Sequence, residues 1–439
     1  MPYLLNLVYL LLIILSLPWL LWQAVRKGKY REGYAEKLLG RVPRRTPGSG
    51  PCLWLHAVSV GEVNLVAPLL RLIAAARPDF QCVLSTTTRT GLALARKKYP
   101  DLVSFYCPLD FSWAVREAMR RVRPDVLVLA ELELWPNLVR AAWESGARVA
   151  VINGRLSEHS FRGYRRIRPF IRQLLAGIDL VAVQDETCAE RFRQLGAPAD
   201  RVHVTGSLKY DGAQTDRDNP ATGRLRRLAG FTGDDVVLLA GSTQEPEEEL
   251  ALATFRALQP RWPHLRLVLV PRHPDRFEAV ARLLDRSGLP WQRRTRLEAE
   301  GPNPEARVLL VDVVGELGAW WGTARIAFVG GSLGQRGGQN MIEPAAYGSA
   351  VSFGPNTWNF RDVVAAMLAR QAAVVIRDGQ ELTGFVRRCL EDPAFAAGLG
   401  DRARQLVADQ LGATRQTLCL LEPVVHGGVA RRSGGRAAA

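Results

Sequence analysis

Short apolar runs recur along this chain, bounded by turn-forming residues and separated by longer stretches of helical periodicity. Leu53–His56, Cys82–Ser85, Val103–Tyr106, Val126–Ala130, Val149–Ile152, Leu180–Val183 and Val202–Thr205 have the length and composition of buried strands. Amphipathic stretches such as Asn64–Ala76 and Trp113–Val122 lie between most of them. This alternation predicts an α/β domain with a mainly parallel sheet. The polar, turn-rich segment Asp211–Gly223 reads as a linker. A second series follows: Val236–Ala240, Leu265–Val270, Val308–Val311, Ile326–Val329, Val351–Phe353 and Ala373–Ile376. Pro393–Leu421 reads as helical. The Gly/Ala/Arg-rich tail from His426 to Ala439 reads as disordered. Two Rossmann-like domains place a ligand site in the cleft between them, outside the carboxyl ends of the strands.

The first 25 residues break the alternation. Met1–Val25 carries no charged side chain, and Tyr3–Trp22 is apolar except for Asn6, Ser16 and Pro18. About 20 helical residues span ~30 Å, enough for a hydrocarbon core. Trp19, Trp22 and Tyr30 suit an interfacial belt. A cleaved signal peptide would carry its positive charge ahead of the apolar run. Here Arg26, Lys27, Lys29, Arg31, Lys37, Arg41, Arg44 and Arg45 come after it, which favours a membrane anchor with the rest of the chain on the cytoplasmic side. Pro18 leaves open a kinked helix or one lying shallow in the bilayer. The expected organisation is an anchor over 1–25, a basic juxtamembrane segment over 26–50, an N-terminal domain over 51–210, a linker over 211–224, a C-terminal domain over 225–425 and a tail over 426–439.

Composition sharpens the choice of partner. The 58 Lys+Arg against 43 Asp+Glu give a formal charge of +15, which implies anionic partners. The chain lacks the basic-aromatic stacking motifs of a nucleic-acid reader. The Arg-rich stretch Arg155, Arg162, Arg165, Arg166, Arg168 and Arg172 fits a solvated helix face, an RNA surface or a phosphorylated lipid; an anchor on the same chain favours the lipid. The 6 cysteines form no CxxC pair and read as reduced core thiols. No metal cluster is visible in the sequence, and Asp216-Arg217-Asp218 reads as a chance match to a metal-binding pattern because it lies in the linker.

Candidate chemistry falls just after predicted strands. Ile326–Val329 breaks into a glycine-rich loop with Gly330, Gly331, Gly334, Gly337 and Gly338, then a short helix opens near Asn340–Glu343. Glycines let backbone approach a ligand closely, and a helix N-terminus favours anions, so the run suggests a nucleotide-sugar site. In His56-Ala57-Val58-Ser59-Val60-Gly61-Glu62, Glu62 is either a favourable first-turn carboxylate or a general base. Glu131 and Glu133 end a buried strand, where unpaired carboxylates are costly. Lys209 follows a strand beside the linker and either holds an anion or is merely solvated. Arg272 stands between Pro271 and His273-Pro274, with a fork suited to phosphate. Gly241-Ser242-Thr243-Gln244-Glu245 and Gly315-Glu316-Leu317 complete the set.

Assembled, these motifs resemble those of the 3-deoxy-D-manno-octulosonic acid (Kdo) transferases. The pieces run in order: HAVSVGE (56–62), ELELWPN (131–137), NGRLS (153–157), GSLKYD (206–211), LVPRHPDRF (269–277), GEL (315–317), FVGGSLGQRGGQNMIEPAA (328–346) and GPNTWNF (354–360). The resemblance implies a GT-B glycosyltransferase with two Rossmann-like domains facing a cleft, held at the cytoplasmic face of the inner membrane. It implies transfer of Kdo from CMP-Kdo to a lipid A precursor bisphosphate without a cofactor or metal. Glu62 is then the base, and Glu131 and Lys209 stabilise the transition state, with Glu133 a less certain neighbour. Pro271, Arg272, Gly315, Glu316, Leu317, Asn340, Met341, Ile342 and Glu343 match the CMP-binding segments. Gln244 and Gln339 stand where the family often has His, and Ala130-Glu131-Leu132-Glu133 replaces a more usual Met-Glu-Thr-Glu. Another GT-B enzyme acting on a phosphorylated lipid remains the alternative.

Overall fold

The computed structural model describes residues 2–27, 32–46, 48 and 50–436. Lys29, Tyr30 and Arg31 of the expected juxtamembrane segment, and the last residues of the expected tail, lie outside these. The chain divides into two units, Met1–Gly212 with Leu411–Ala439, and Ala213–Gln410.

The first unit is built on β1 (Cys52–His56), β2 (Gln81–Thr86), β3 (Val103–Tyr106), β4 (Val126–Ala130), β5 (Arg148–Gly154), β6 (Leu180–Val183) and β7 (Val202–Val204). They form one parallel sheet in the order β3-β2-β1-β4-β5-β6-β7. The strands of a parallel sheet are covered by helices on both faces, so they read as continuous apolar runs. Every residue of β1 and β4 is accordingly buried.

The second unit holds β8 (Val236–Thr243), β9 (Leu265–Pro271), β10 (Trp291–Arg293), β11 (Val308–Leu310), β12 (Ile326–Val329), β13 (Ala350–Phe353) and β14 (Ala373–Val375). Its parallel sheet runs β10-β11-β9-β8-β12-β13-β14. Strand order reverses between β1 and β4 in one sheet and between β8 and β12 in the other, and such switch points open a crevice at the strands' carboxyl ends. The strand the sequence reading missed, β10, is a three-residue edge, Trp-Gln-Arg, with no apolar run to betray it.

Two expectations about the ends change. The terminal helix Ala413–Arg436 belongs to the first unit, not to a C-terminal domain ending at 425. Its Ala413, Leu418, Leu421 and Val425 join the core that contains Leu69, Ile73 and Ile152. The Asp211 carboxylate accepts from the backbone N–H groups of Gly412 and Thr414, tying the crossing points of the chain together. The helix also runs through most of the stretch expected to be disordered.

At the other end, Pro2–Lys27 is helical through Pro18. Among the described residues no helix is long and apolar enough to cross a membrane, so the spanning form of the expected anchor finds no support. The polar residues explain the difference. Asn6 is buried, donating to Ser112 Oγ at 2.7 Å and accepting from the Ser112 N–H at 3.0 Å. The Tyr9 hydroxyl donates to Asp110 Oδ2 at 3.1 Å, and its ring meets Phe111 edge-on. The first turns of this helix are seated on the first unit, while Leu4, Leu11, Leu15 and Trp19 remain exposed.

Candidate active site

In the first unit, the motif after β1 closes around one carboxylate. Ser59 caps the helix Val60–Leu65 and its hydroxyl receives the Glu62 N–H. Glu62 reaches back, accepting from the Val58 N–H at 2.7 Å and the Ser59 hydroxyl at 3.1 Å. This is a capping box displaced by one residue. The Val58 carbonyl in turn accepts from the hydroxyls of Thr86 at 2.8 Å and Thr87 at 3.1 Å, so Val58 is held through its carbonyl while its N–H holds Glu62. Burial pushes the Glu62 carboxyl up to about 7; the Val58 N–H opposes this, and the charges of Glu131 and Glu133 add to it.

Glu131 directly follows β4, across the switch point, with φ at +58°. A left-handed conformation at a non-glycine residue is strained, and such strain collects at functional sites. Lys209 Nζ lies 3.9 Å from Glu131 Oε1. The Lys209 loop is set by Asn153, whose Oδ1 accepts the Leu208 N–H at 3.0 Å while its own φ is +52°. Glu133 accepts from the Trp135 indole at 3.0 Å, and burial raises its pKa. Three carboxylates and one lysine thus gather where β1 and β4 diverge. A half-buried carboxylate poised near neutrality can take a proton, and the Lys209–Glu131 pair can meet developing charge beside it.

His56, the first residue of the same motif, is fully buried with Nδ1 2.9 Å from Ser85 Oγ, and burial lowers its pKa to about 4. It stays neutral and packs the strand end.

In the second unit, a residue the sequence reading passed over organises the glycine-rich loop. Glu247 is buried. Its oxygens accept N–H groups from Gln244 at 2.9 Å, Gly331 at 2.7 Å, Ser332 at 3.0 Å and Leu333 at 3.0 Å. A Cβ at Gly330 would lie 2.6 Å from Thr243 Cα and 2.7 Å from the Glu247 carboxylate, so only glycine fits there. The loop is an anion cradle, as its glycines suggest, but Glu247 already fills this part of it. The following helix, Ile342–Ala346, is short, and the Ile342 N–H is taken by Asn340 Oδ1 at 3.1 Å. The N–H groups of Gly331, Ser332, Leu333 and Ile342, where the sequence suggested a phosphate, are therefore already taken by side chains of the protein.

Arg272, exposed after β9, donates from Nε to Gln339 Oε1 at 3.2 Å. Asn340 donates to Glu343 Oε1 at 3.0 Å, and burial raises the pKa of Glu343 beside the Trp321 indole. Met341 is fully buried and Ile342 nearly so, both holding the loop to the core. Glu316 receives both arms of Arg294 at 2.8 and 2.7 Å and the Trp320 indole at 3.2 Å. Its carboxylate is committed to these partners, and Gly315 before it has φ +99°. Gly354-Pro355-Asn356 braces the loop: the Asn356 N–H donates to the Ser332 carbonyl at 3.0 Å. Asp216 Oδ1 accepts the Asp218 N–H at 2.8 Å, a local turn that accounts for the metal-like pattern in the linker.

Comparison with known proteins adds four findings. A family model described as 3-deoxy-D-manno-octulosonic-acid transferase (kdotransferase) matches residues 32–212. The chain is similar to the 3-deoxy-D-manno-octulosonic acid transferase of Haemophilus influenzae, 32% identical over 92% of this chain and 94% of that one. It is also similar to that of Bordetella pertussis, 35% identical over 92% and 95%. Among solved structures, a glycosyltransferase from Rickettsia africae shares the fold at 12% identity and a TM-score of 0.53, over 86% of this chain and 99% of that one.

Proposed function

Because the chain belongs to the Kdo transferase family of glycosyltransferases, we propose that it moves Kdo from CMP-Kdo to a lipid A precursor bisphosphate and releases CMP. The observation that carries the mechanism is Glu62, half-buried, held by Val58 and Ser59, and raised to about 7. Glu62 takes the acceptor hydroxyl proton as that oxygen bonds to the anomeric carbon of Kdo. The bond from that carbon to the CMP phosphate oxygen breaks on the opposite face, giving inversion. CMP leaves as an anion and needs positive charge rather than a proton. Arg272 supplies that charge, the backbone of Gly315, Glu316 and Leu317 contacts the nucleotide, and Glu343 accepts from the ribose hydroxyls. Lys209 and Glu131 stabilise charge at the transferring sugar.

The seated N-terminal helix supports a cytoplasmic-face membrane enzyme: it turns Leu4, Leu11, Leu15 and Trp19 outward at 64, 50, 77 and 53% exposure. With its first turns seated on the first unit through Asn6 and Tyr9, this helix lies along the headgroup layer rather than across the bilayer. The exposed Arg162, Arg165, Arg166 and Arg168 suit the acceptor's phosphates.

The test is a transfer assay with purified protein, CMP-Kdo and tetraacyl-disaccharide 1,4′-bisphosphate, products read by mass spectrometry. A mass gain of one or more Kdo units, absent in Glu62→Gln, is expected. No gain, with CMP still stabilising the protein against heat and UDP not doing so, would keep the donor and reject the acceptor. No gain and no CMP binding would reject both.

A further inference from the structure

At the end of the second sheet opposite the donor motifs, the first residues of β8, β9 and β12 (Val236, Leu265 and Ile326) line a cleft of about 840 Å³. Arg217, Arg226, Arg325 and Arg404 line it as well. Arg217 donates to the Tyr347 carbonyl at 2.6 Å, the Gly322 carbonyl at 3.0 Å and Ser349 Oγ at 3.2 Å, all neutral acceptors. Among the described residues, Arg226 has as carboxylate partner only the exposed Asp218 at 3.9 Å, and Arg404 only the exposed Asp401 at 3.3 Å. Arg325 has no carboxylate partner among the described residues. Of the acids in the same wall, Asp235 is already taken by Arg266 at 2.8 Å and Arg307 at 3.2 Å, Asp401 is the exposed partner of Arg404, and Asp234 is exposed.

We propose that this cleft binds a phosphate-bearing ligand between Arg217, Arg226, Arg325 and Arg404. Guanidinium forks match phosphate oxygens two at a time, and a bound anion removes the mutual repulsion of the cluster. That repulsion is felt at Arg217, whose pKa falls to about 10, first through burial and then through Arg226, Arg325 and Arg404. At about 840 Å³ the cleft has room for a phosphate ester or diphosphate as well as a bare ion. The ligand's phosphate comes either from a soluble metabolite or from a lipid headgroup.

Heat denaturation of the full chain in pyrophosphate, balanced against sodium chloride at equal ionic strength, tests this. Pyrophosphate should raise the melting temperature. The exposed pair Arg325→Ala with Arg404→Ala should weaken its apparent affinity at least tenfold while leaving stabilisation by CMP unchanged, and Arg226→Ala alone should weaken it less. Flotation with phosphatidic acid vesicles relative to phosphatidylcholine vesicles identifies the source, since the N-terminal helix is common to both: a preference for phosphatidic acid lost in the same double variant assigns a headgroup, and a preference unaffected by it assigns a soluble ester. A response equal to the chloride control would overturn the proposal. So would a pyrophosphate effect that survives the double variant and disappears in Arg272→Ala, which would place the anion at the donor motifs.

Discussion

Glu62 is pulled two ways: burial and the charges of Glu131 and Glu133 favour its proton, while the Val58 N–H and Ser59 hydroxyl favour its loss. The balance, about 7 against an ordinary 4.5, leaves a carboxylate that is ionised in part at neutral pH yet basic enough to accept a proton, as the proposed role requires. Transfer should therefore rise with pH along an acid limb centred near 7, read as kcat/KM against pH; a limb near 4.5 would remove Glu62 from the role. Glu131→Gln deletes one of the charges that raise it, so the limb should move to lower pH even as the rate falls. Glu62→Gln should fold normally and lose about 10²–10⁴-fold in rate. Stability runs the other way. A carboxyl whose folded pKa lies above its unfolded value favours the fold while protonated, so this contribution is full below pH 4.5 and is lost as pH rises through about 7. The motif around Glu62 was legible in the sequence; its proton affinity was not, because the two carboxylates that tune it lie about 70 residues away along the chain.

At the scale of the element, the glycine-rich loop after β12 is a structure built around Glu247. In sequence Glu247, Glu248 and Glu249 look like three interchangeable acids opening a helix, which is what a helix dipole favours. The fold distinguishes them. Glu248 pairs with Arg276 at 3.0 Å, while Glu247 gathers the loop more than 80 residues further on. Glu247→Gln has one acceptor oxygen for N–H groups that now share two, and buried donors left without partners cost about 1–3 kcal/mol each. We expect Glu247→Gln to lower the melting temperature and weaken CMP stabilisation at least tenfold, with the first unit's hydrogen-exchange protection unchanged. Full CMP binding in this variant would mean that the loop holds its shape without the carboxylate.

At the scale of the molecule, the chain begins and ends in the first unit. Leu421 is fully buried against helix and strand residues of that unit. Leu421→Ala should cost about 3 kcal/mol and lower protection in β4 and β5 while sparing β8 and β9, as hydrogen exchange by mass spectrometry would show. Equal loss in both units would contradict this assignment of the terminal helix. The N-terminal helix is a separate case. Leu11→Glu with Leu15→Glu should abolish flotation with anionic vesicles, since both side chains face outward, and should leave heat stability in detergent within about 0.5 kcal/mol.

The sequence by itself determined the two parallel sheets, because a strand buried on both faces must be apolar throughout, and it located the motifs, because each interrupts such a run. It set the order β1-loop-Glu62 and β4-Glu131 along the chain. It did not place the terminal helix: Leu418 and Leu421 are apolar at helical spacing and would serve either core, and only the complementary surface of Leu69 and Ile73 selects one. Nor did it show that Asn6 and Tyr9 seat the N-terminal helix, since one polar residue in an apolar run has no meaning until Ser112 and Asp110 stand opposite. Which carboxylate has a raised proton affinity, which is paired and which holds a loop was decided by tertiary structure alone, because burial and neighbouring charge set proton affinity, and both come from residues remote in sequence.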